Sequence, residues 1–201
     1  MIGWLYDLLG RSQERGELGQ IRRSLLAGLE GEVLEVGAGT GANLPHYRSA
    51  TRVVAVEPDP SMTKRIGPKA ARASVPVEVV DAGVERLPFP DASFDAAVST
   101  FVLCSVEEPA TALAEVRRVL RPDGTLVVLE HVAGHGKLRR WQERLTPLHR
   151  RIAGNCHLAR DTRAELADAG FDVSTVAAVR IPGSHPLVRA GIQGRAIKIS
   201  S

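Results

Sequence analysis

Only two cysteines, Cys104 and Cys156, occur in 201 residues, and they have no paired spacing, so neither a disulfide framework nor a zinc-finger pattern is readable. The six histidines are scattered, and no metal site is expected. Aromatic residues make up 4% of the chain, so the core has to be built from aliphatic side chains. No apolar run approaches the ~20 residues that span a bilayer. Asp7 interrupts the apolar N-terminus too early for a signal peptide. A reducing, cytoplasmic setting is therefore the expectation. The net charge of +3 is too small to indicate nucleic-acid binding by itself, and no nucleic-acid partner is expected. A Walker nucleotide loop is also excluded, because Gly41 is followed by Ala42 and Asn43 rather than by Lys and Ser or Thr.

What the chain does have is Val33-Leu34-Glu35-Val36-Gly37-Ala38-Gly39-Thr40-Gly41. It reads as a short buried strand running into a glycine turn. Glycines at alternate positions let backbone approach a ligand closely, because no Cβ intervenes. Glu35 sits inside the apolar run, where an unpaired carboxylate is costly, so it should face a cationic or hydrogen-bonding group. A second strand, Arg52 to Val56, ends in Glu57, at the distance expected for a ribose-binding acid. The turn also satisfies the relaxed dinucleotide fingerprint, and both S-adenosylmethionine and a nicotinamide dinucleotide carry a ribose diol. The absence of a Lys and the acid beside the turn favour S-adenosylmethionine.

Apolar β-branched runs recur at 33–36, 53–56, 75–80, 94–99 and 125–129, with further strands expected at 173–179 and 195–199. Helical stretches lie between them. Asp59-Pro60 marks one start, and Gly67-Pro68 is expected to stop or interrupt that helix. Pro109 opens another, with Leu113, Val116 and Leu120 on one face, and Pro122-Asp123-Gly124 turns into the next strand. Thr162 and Glu165 form a capping box, and Gly170 is the expected C′ residue. This alternation predicts an α/β fold: a doubly wound, Rossmann-like, mostly parallel sheet with helices on both faces. The length fits one domain over residues 1–201, with residues 1–31 as an N-terminal helical lid and 134–158 as a basic helical cap. On that cap Leu138, Trp141, Leu145, Leu148 and Ile152 share a helical face, although Pro147 is expected to break it. Packing over the sheet, contact with a membrane surface and contact with nucleic acid are all open to such a helix.

These residues resemble class I S-adenosylmethionine-dependent methyltransferases. The matching pieces are Leu34 to Gly41, Val54-Ala55-Val56-Glu57-Pro58, Glu85 to Phe89 with Ser93-Phe94-Asp95, and Arg118 to Gly124. One departure is Asp123, where the family usually has a second glycine. Within the superfamily the chain looks most like the alkyl thiol methyltransferase branch and its bacterial relatives, through Gly41-Ala42-Asn43, Leu103 to Val106, Glu130 to Ala133 and Gly154 to Leu158. The resemblance implies a seven-stranded sheet with the last strand antiparallel. It also implies that Gly37, Ala38, Gly39, Gly41 and Asn43 approach the methionine and ribose of S-adenosylmethionine, and that Glu35 orients its ammonium. Glu57, followed by Pro58, would accept the ribose hydroxyls, Asp81 and Ala82 would meet the adenine, and Thr100 would flank the sulfonium. The animal enzymes carry a hydrophobic N-terminal anchor that has no counterpart here, so membrane residence does not transfer.

Methyl transfer from a sulfonium is an in-line displacement, and the protein's main task is alignment. A base is needed only as far as the acceptor keeps its proton. His131, directly after the fifth strand, is the first candidate and His157 the second. Phe101, Cys104 and Trp141 are expected to line an apolar acceptor pocket. The expected activity is S-methylation of a small-molecule thiol, yielding S-adenosylhomocysteine, without a metal. O- or N-methylation of a lipid, quinone or natural-product intermediate remains an alternative, as does a cofactor-binding module without methyl transfer. A monomer or homodimer with weak peripheral membrane contact is expected.

Overall fold

The computed structural model describes residues 16–199; residues 1–15 of the expected lid over 1–31 lie outside them. Helix α1 (Glu17–Leu26) leads into strand β1 (Glu30–Val36), and a single 3-10 turn (Leu44–His46) follows the glycine turn. Then come β2 (Ser49–Val56), α2 (Pro60–Ala70), β3 (Val77–Val80) and β4 (Phe94–Thr100). The second half contains α3 (Pro109–Val119), β5 (Leu120–His131), α4 (Lys137–Ile152) and α5 (Thr162–Asp168). It closes with the short strands β6 (Phe171–Asp172) and β7 (Ala177–Arg180) and the long β8 (Ala190–Lys198). Among the described residues no helix is long and apolar enough to cross a membrane.

The strands lie in the order β3-β2-β1-β4-β5-β8-β6. The first five are parallel, and β8 runs antiparallel to β5. β6 and β7 pair with the same edge of β8, so they are one strand position interrupted by a bulge, and the sheet has the expected seven positions. The expected strand at 173–179 is thus corrected. Val173–Val176 leaves the ladder, the Val176 amide bonds the Val173 carbonyl, and the Val176 side chain is buried. Sequence alternates across the sheet accordingly. Leu34, Val36, Val54, Val56, Leu126 and Val128 join the α3 and α5 core, whereas Val33, Val53, Ala55 and Val127 join the α1 and α2 core. A parallel sheet covered on both faces needs such continuous apolar runs.

Several punctuation signals acted differently from expectation. Asp59 caps α2 through Ser61 N at 2.8 Å, but Pro68 lies inside the helix, which continues to Ala70. Proline removes one amide, and near a C-terminus that loss is small enough for the last turn to persist. α4 likewise runs unbroken through Pro147, on an exposed side where water can serve the freed carbonyl. The N-cap of α5 is Asp161, accepting from Ala164 N, rather than Thr162, whose hydroxyl is buried within the first turn. Gly170, at φ +82°, ends α5 as expected. Asp123 adopts φ +58°, a conformation that glycine takes without penalty, in a four-residue excursion between two paired positions of β5.

Gly194 faces the bulge at φ +146°, and a Cβ there would lie 2.4 Å from the Thr175 carbonyl. Gly194→Ala should therefore lower unfolding free energy by about 2–4 kcal/mol, from backbone strain and overpacking together. Denaturant melts of the two proteins would check this, and equal midpoints would refute it.

Candidate active site

The order of strands reverses between β1 and β4, and ligands in such sheets bind beyond the carboxyl ends of the strands at that point. There the chain turns through Gly37, Gly39 and Gly41, at φ +57°, +58° and +76°. A Cβ on Gly37 would strike Val102 at 2.6 Å, so this glycine is required by packing. A Cβ on Gly39 would meet nothing nearer than 4.0 Å, so the space beside that backbone is open. Gly39 N donates to Glu57 Oε2 at 2.8 Å, and Asp59 N donates to Glu57 Oε1 at 3.0 Å. Both oxygens of this acid are thereby fixed while keeping spare acceptor capacity, as binding a ribose diol demands.

Glu35 is buried on the α1 side of the sheet and accepts from Tyr47 Oη at 2.9 Å. Burial raises its carboxyl to about 7, against the lowering effects of the Tyr47 hydroxyl, the Arg22 charge and the Asn43 amide. A cation arriving beside it would restore the charged form. Arg22, from α1, is also buried. It donates to Asn43 Oδ1 at 2.6 Å and to Thr100 Oγ1 at 3.0 Å, while Asn43 Nδ2 donates to Thr100 Oγ1 at 3.0 Å. The guanidinium also lies 5.5 Å from the centre of the Phe101 ring. Phe101 takes φ +59°, a strained conformation for an aromatic residue, immediately after β4. Thus the structure brings together Glu35, Asn43, Thr100 and Phe101, and Arg22 joins them without any sequence signal.

A second group lies beyond β4 and β5. His131 Nε2 is 2.8 Å from Cys156 Sγ, and one atom each of Cys104, His131 and Cys156 lie within 4.8 Å of one another. Scattered in sequence, these residues are adjacent in space. Hydrogen bonding to Cys156 and burial raise the Cys104 thiol, whereas hydrogen bonding from Cys104 lowers that of Cys156. Burial opposes charge on His131, but the neighbouring sulfur of Cys104 and the charge of Glu130 outweigh it and raise the ring above its usual range. Buried Glu130 accepts three bonds at Oε1: from Ser99 Oγ (2.7 Å), Val102 N (3.0 Å) and Leu103 N (3.2 Å). Buried Arg160 donates to the Leu103 and Val106 carbonyls of the same loop. Glu130 stood out in the sequence only as part of a matching stretch, and Arg160 not at all.

The remaining expected residues stand apart. Pro58 and Asp81 are exposed at the carboxyl ends of β2 and β3, with Ala82 half-buried beside the core. His157 is pushed below its usual range by burial and by Arg160 and Arg150. Trp141 is 56% exposed, and Gln142 instead turns inward to bond Gly134 N, Val132 O and Leu187 O. The expected lining role of Trp141 is therefore corrected, because the inward side of α4 is polar at this turn. A groove of about 750 Å³ between α3 and α5, lined by Glu108, Ala114, Arg117 and Glu165, includes none of the site residues.

Glu35 makes stability pH-dependent. Its carboxyl titrates near 4.5 when unfolded and about 7 when folded, so the native state holds the extra proton between those values. Its contribution is full below pH ~4.5 and is lost as pH rises through ~7. Glu35→Gln should flatten the fall in stability of the ligand-free protein across that window, by on the order of 3 kcal/mol. Urea denaturation from pH 5 to 8 measures this directly, and parallel pH curves for the two proteins would refute it.

Residues 34–128 match a family described as a methyltransferase domain. Thiol S-methyltransferase TMT1A of Homo sapiens is 37% identical over 171 residues, covering 83% of this chain and 70% of that protein. Thiol S-methyltransferase TMT1B of Homo sapiens is 37% identical over 196 residues, covering 93% of this chain and 79% of that protein. A solved SAM-dependent methyltransferase from Thermotoga maritima, described as a possible histamine N-methyltransferase, is 26% identical with a TM-score of 0.69, covering 96% of this chain and 92% of its own. Likeness extending this far past the glycine turn makes the chain a member of the S-adenosylmethionine-dependent methyltransferase family, within the branch that includes the human thiol S-methyltransferases.

Proposed function

We propose that this protein methylates the sulfur of a small thiol. The observation that carries this is the likeness to two thiol S-methyltransferases along most of the chain. The local chemistry supports it. The open space beside Gly39, the fixed carboxylate of Glu57 and the buried acid Glu35 fit the backbone approach, ribose diol and ammonium of S-adenosylmethionine. Bound there, the cofactor supplies an activated methyl group. Asp81 and Ala82 serve the adenine end, and Thr100, tied by Arg22 and Asn43, serves the sulfonium end. Phe101 and Cys104 form the apolar approach for the acceptor.

A thiol with pKa near 8.5 costs only about 2 kcal/mol to ionise at neutral pH. Weak assistance is therefore enough. His131 gives that assistance as a member of the group with Cys104 and Cys156, at the end of β5. His157, depressed in pKa and bonded through its backbone to Cys104 O, supports the loop. S-adenosylhomocysteine release should be seen with small thiols and not with phenols, amines or phospholipids. His131→Ala should lower kcat/KM for the thiol about tenfold or more at pH 7 and leave cofactor affinity within a factor of two. Release with amines or hydroxyls alone would overturn the thiol reading.

The exposed side of α4 supports peripheral contact with an anionic membrane. Trp141, Leu148 and Ile152 are exposed by 56%, 59% and 70%. They stand among exposed Lys137, Arg139, Arg140, Arg144, Arg150 and Arg151, against the single acid Glu143 on this helix. A basic helix with an apolar stripe lies in a headgroup region, gaining about 1 kcal/mol per cation near the surface. The protein should sediment with phosphatidylserine-containing vesicles and not with neutral ones. Trp141→Ser with Ile152→Ser should abolish this; binding that is indifferent to both vesicle charge and these substitutions would refute it.

A further inference from the structure

Cys104 lies in the loop after β4, His131 at the last position of β5, and Cys156 in the loop after α4. All three are buried, and one donor atom from each lies within 4.8 Å of the others. The backbone that carries them is pinned from several directions. Glu130 holds the Val102 and Leu103 amides, and Arg160 holds the Leu103 and Val106 carbonyls. Asn155 Nδ2 donates to Ser105 O at 2.9 Å, and His157 N donates to Cys104 O at 2.8 Å. The two cysteine loops are thus bonded directly to each other, through the residues on either side of Cys156. Beside the group, His131 Nδ1 and Glu130 Oε2 are buried without a partner. Buried polar atoms rarely remain so, and each calls for an explanation.

We propose that Cys104, His131 and Cys156 bind a zinc ion, and that the fourth position of that ion accepts the sulfur of the thiol substrate. Two sulfurs and one imidazole nitrogen form a donor set that suits zinc, and three protein ligands with one open position is the arrangement of zinc sites that bind substrate. Zinc binding displaces the thiol protons of Cys104 and Cys156 to solvent, and the two thiolates cancel the charge of the ion, so the occupied site is neutral in a buried setting. Tetrahedral coordination sets sulfur and nitrogen ligands roughly 3.5 Å apart. The 2.8 Å contact between His131 and Cys156 would therefore open by less than ~1 Å. On coordination the substrate S–H bond breaks, its proton leaves to solvent and a sulfur–zinc bond forms, with no change of oxidation state. The ion then performs the ionisation otherwise left to His131. This second half rests on the thiol reading, whereas the metal site itself does not.

The test uses the full chain, purified with a phosphine reductant so that no other thiol competes. After exposure to zinc and dialysis, about one ion per chain should remain, and Cys104→Ser or Cys156→Ser should each lower retention tenfold or more. Replacing zinc by cobalt should give thiolate-to-cobalt charge-transfer absorption and strong tetrahedral d–d bands in the wild-type protein, a readout that needs no variant to fold. Adding ethanethiol should shift those d–d bands, and ethanol should not. Folded wild-type protein that retains no zinc and shows no charge-transfer band would overturn the site. Cobalt bands that ignore ethanethiol would overturn the open position. Cobalt bands in a protein that releases no S-adenosylhomocysteine with thiols would sink the thiol reading and leave the metal site standing.

Discussion

The reversal of strand order between the parallel neighbours β1 and β4 is the constraint on which the rest depends. Chain leaving β1 goes to the β2 side and chain leaving β4 goes to the β5 side, which leaves a crevice between them. The strand ends that carry the candidate site residues border that gap. The glycine turn closes it from β1, Glu57 from β2, Thr100 from β4 and His131 from β5. A buried parallel sheet holds these strand ends rigidly, because both of its faces are packed with aliphatic side chains.

Two kinds of fixing act around the crevice. On the β1 and β2 side the acids are fixed by hydroxyls and backbone amides: Glu35 by Tyr47, and Glu57 by Gly39 and Asp59. On the β4 and β5 side one loop is clamped between buried Glu130 and buried Arg160. Glu130 takes its amides and Arg160 its carbonyls, so the loop keeps its shape without being part of any regular element. Three donors on a single carboxylate oxygen make Glu130 hard to replace, since truncation would strand buried donors at a cost of about 1–3 kcal/mol each.

What could be read from sequence follows distance along the chain. The glycine turn and Glu35 lie within one strand and its turn, and Glu57 ends the next strand, so local pattern was sufficient to find them. The strand–helix alternation was legible for the same reason, whereas the antiparallel last strand was legible only through family likeness. Arg22 was not, because its partners Asn43 and Thr100 lie 21 and 78 residues away. Nor was the union of Cys104 with Cys156, which depends on where α4 ends and its following loop returns. Proline signals misled twice, at Pro68 and Pro147, since an exposed helix can lose one hydrogen bond to water and continue. Trp141 misled as well: hydrophobic spacing locates a stripe but not whether that stripe faces protein, and Gln142 took the inward place.

The opposite end of the sheet is built differently. There Arg52 bridges Glu32 at 2.8 Å and Glu78 at 3.1 Å, Arg121 pairs with Asp95, and Arg118 joins Glu115 and Asp91. These pairs are largely solvent-exposed, and salt screens such pairs over a Debye length of ~8 Å at physiological ionic strength. The amides and hydroxyls around the crevice are not screened in that way. Ionic strength therefore acts unequally along the strands. It loosens the charged end, where it costs little, and leaves the geometry at the reacting end almost untouched.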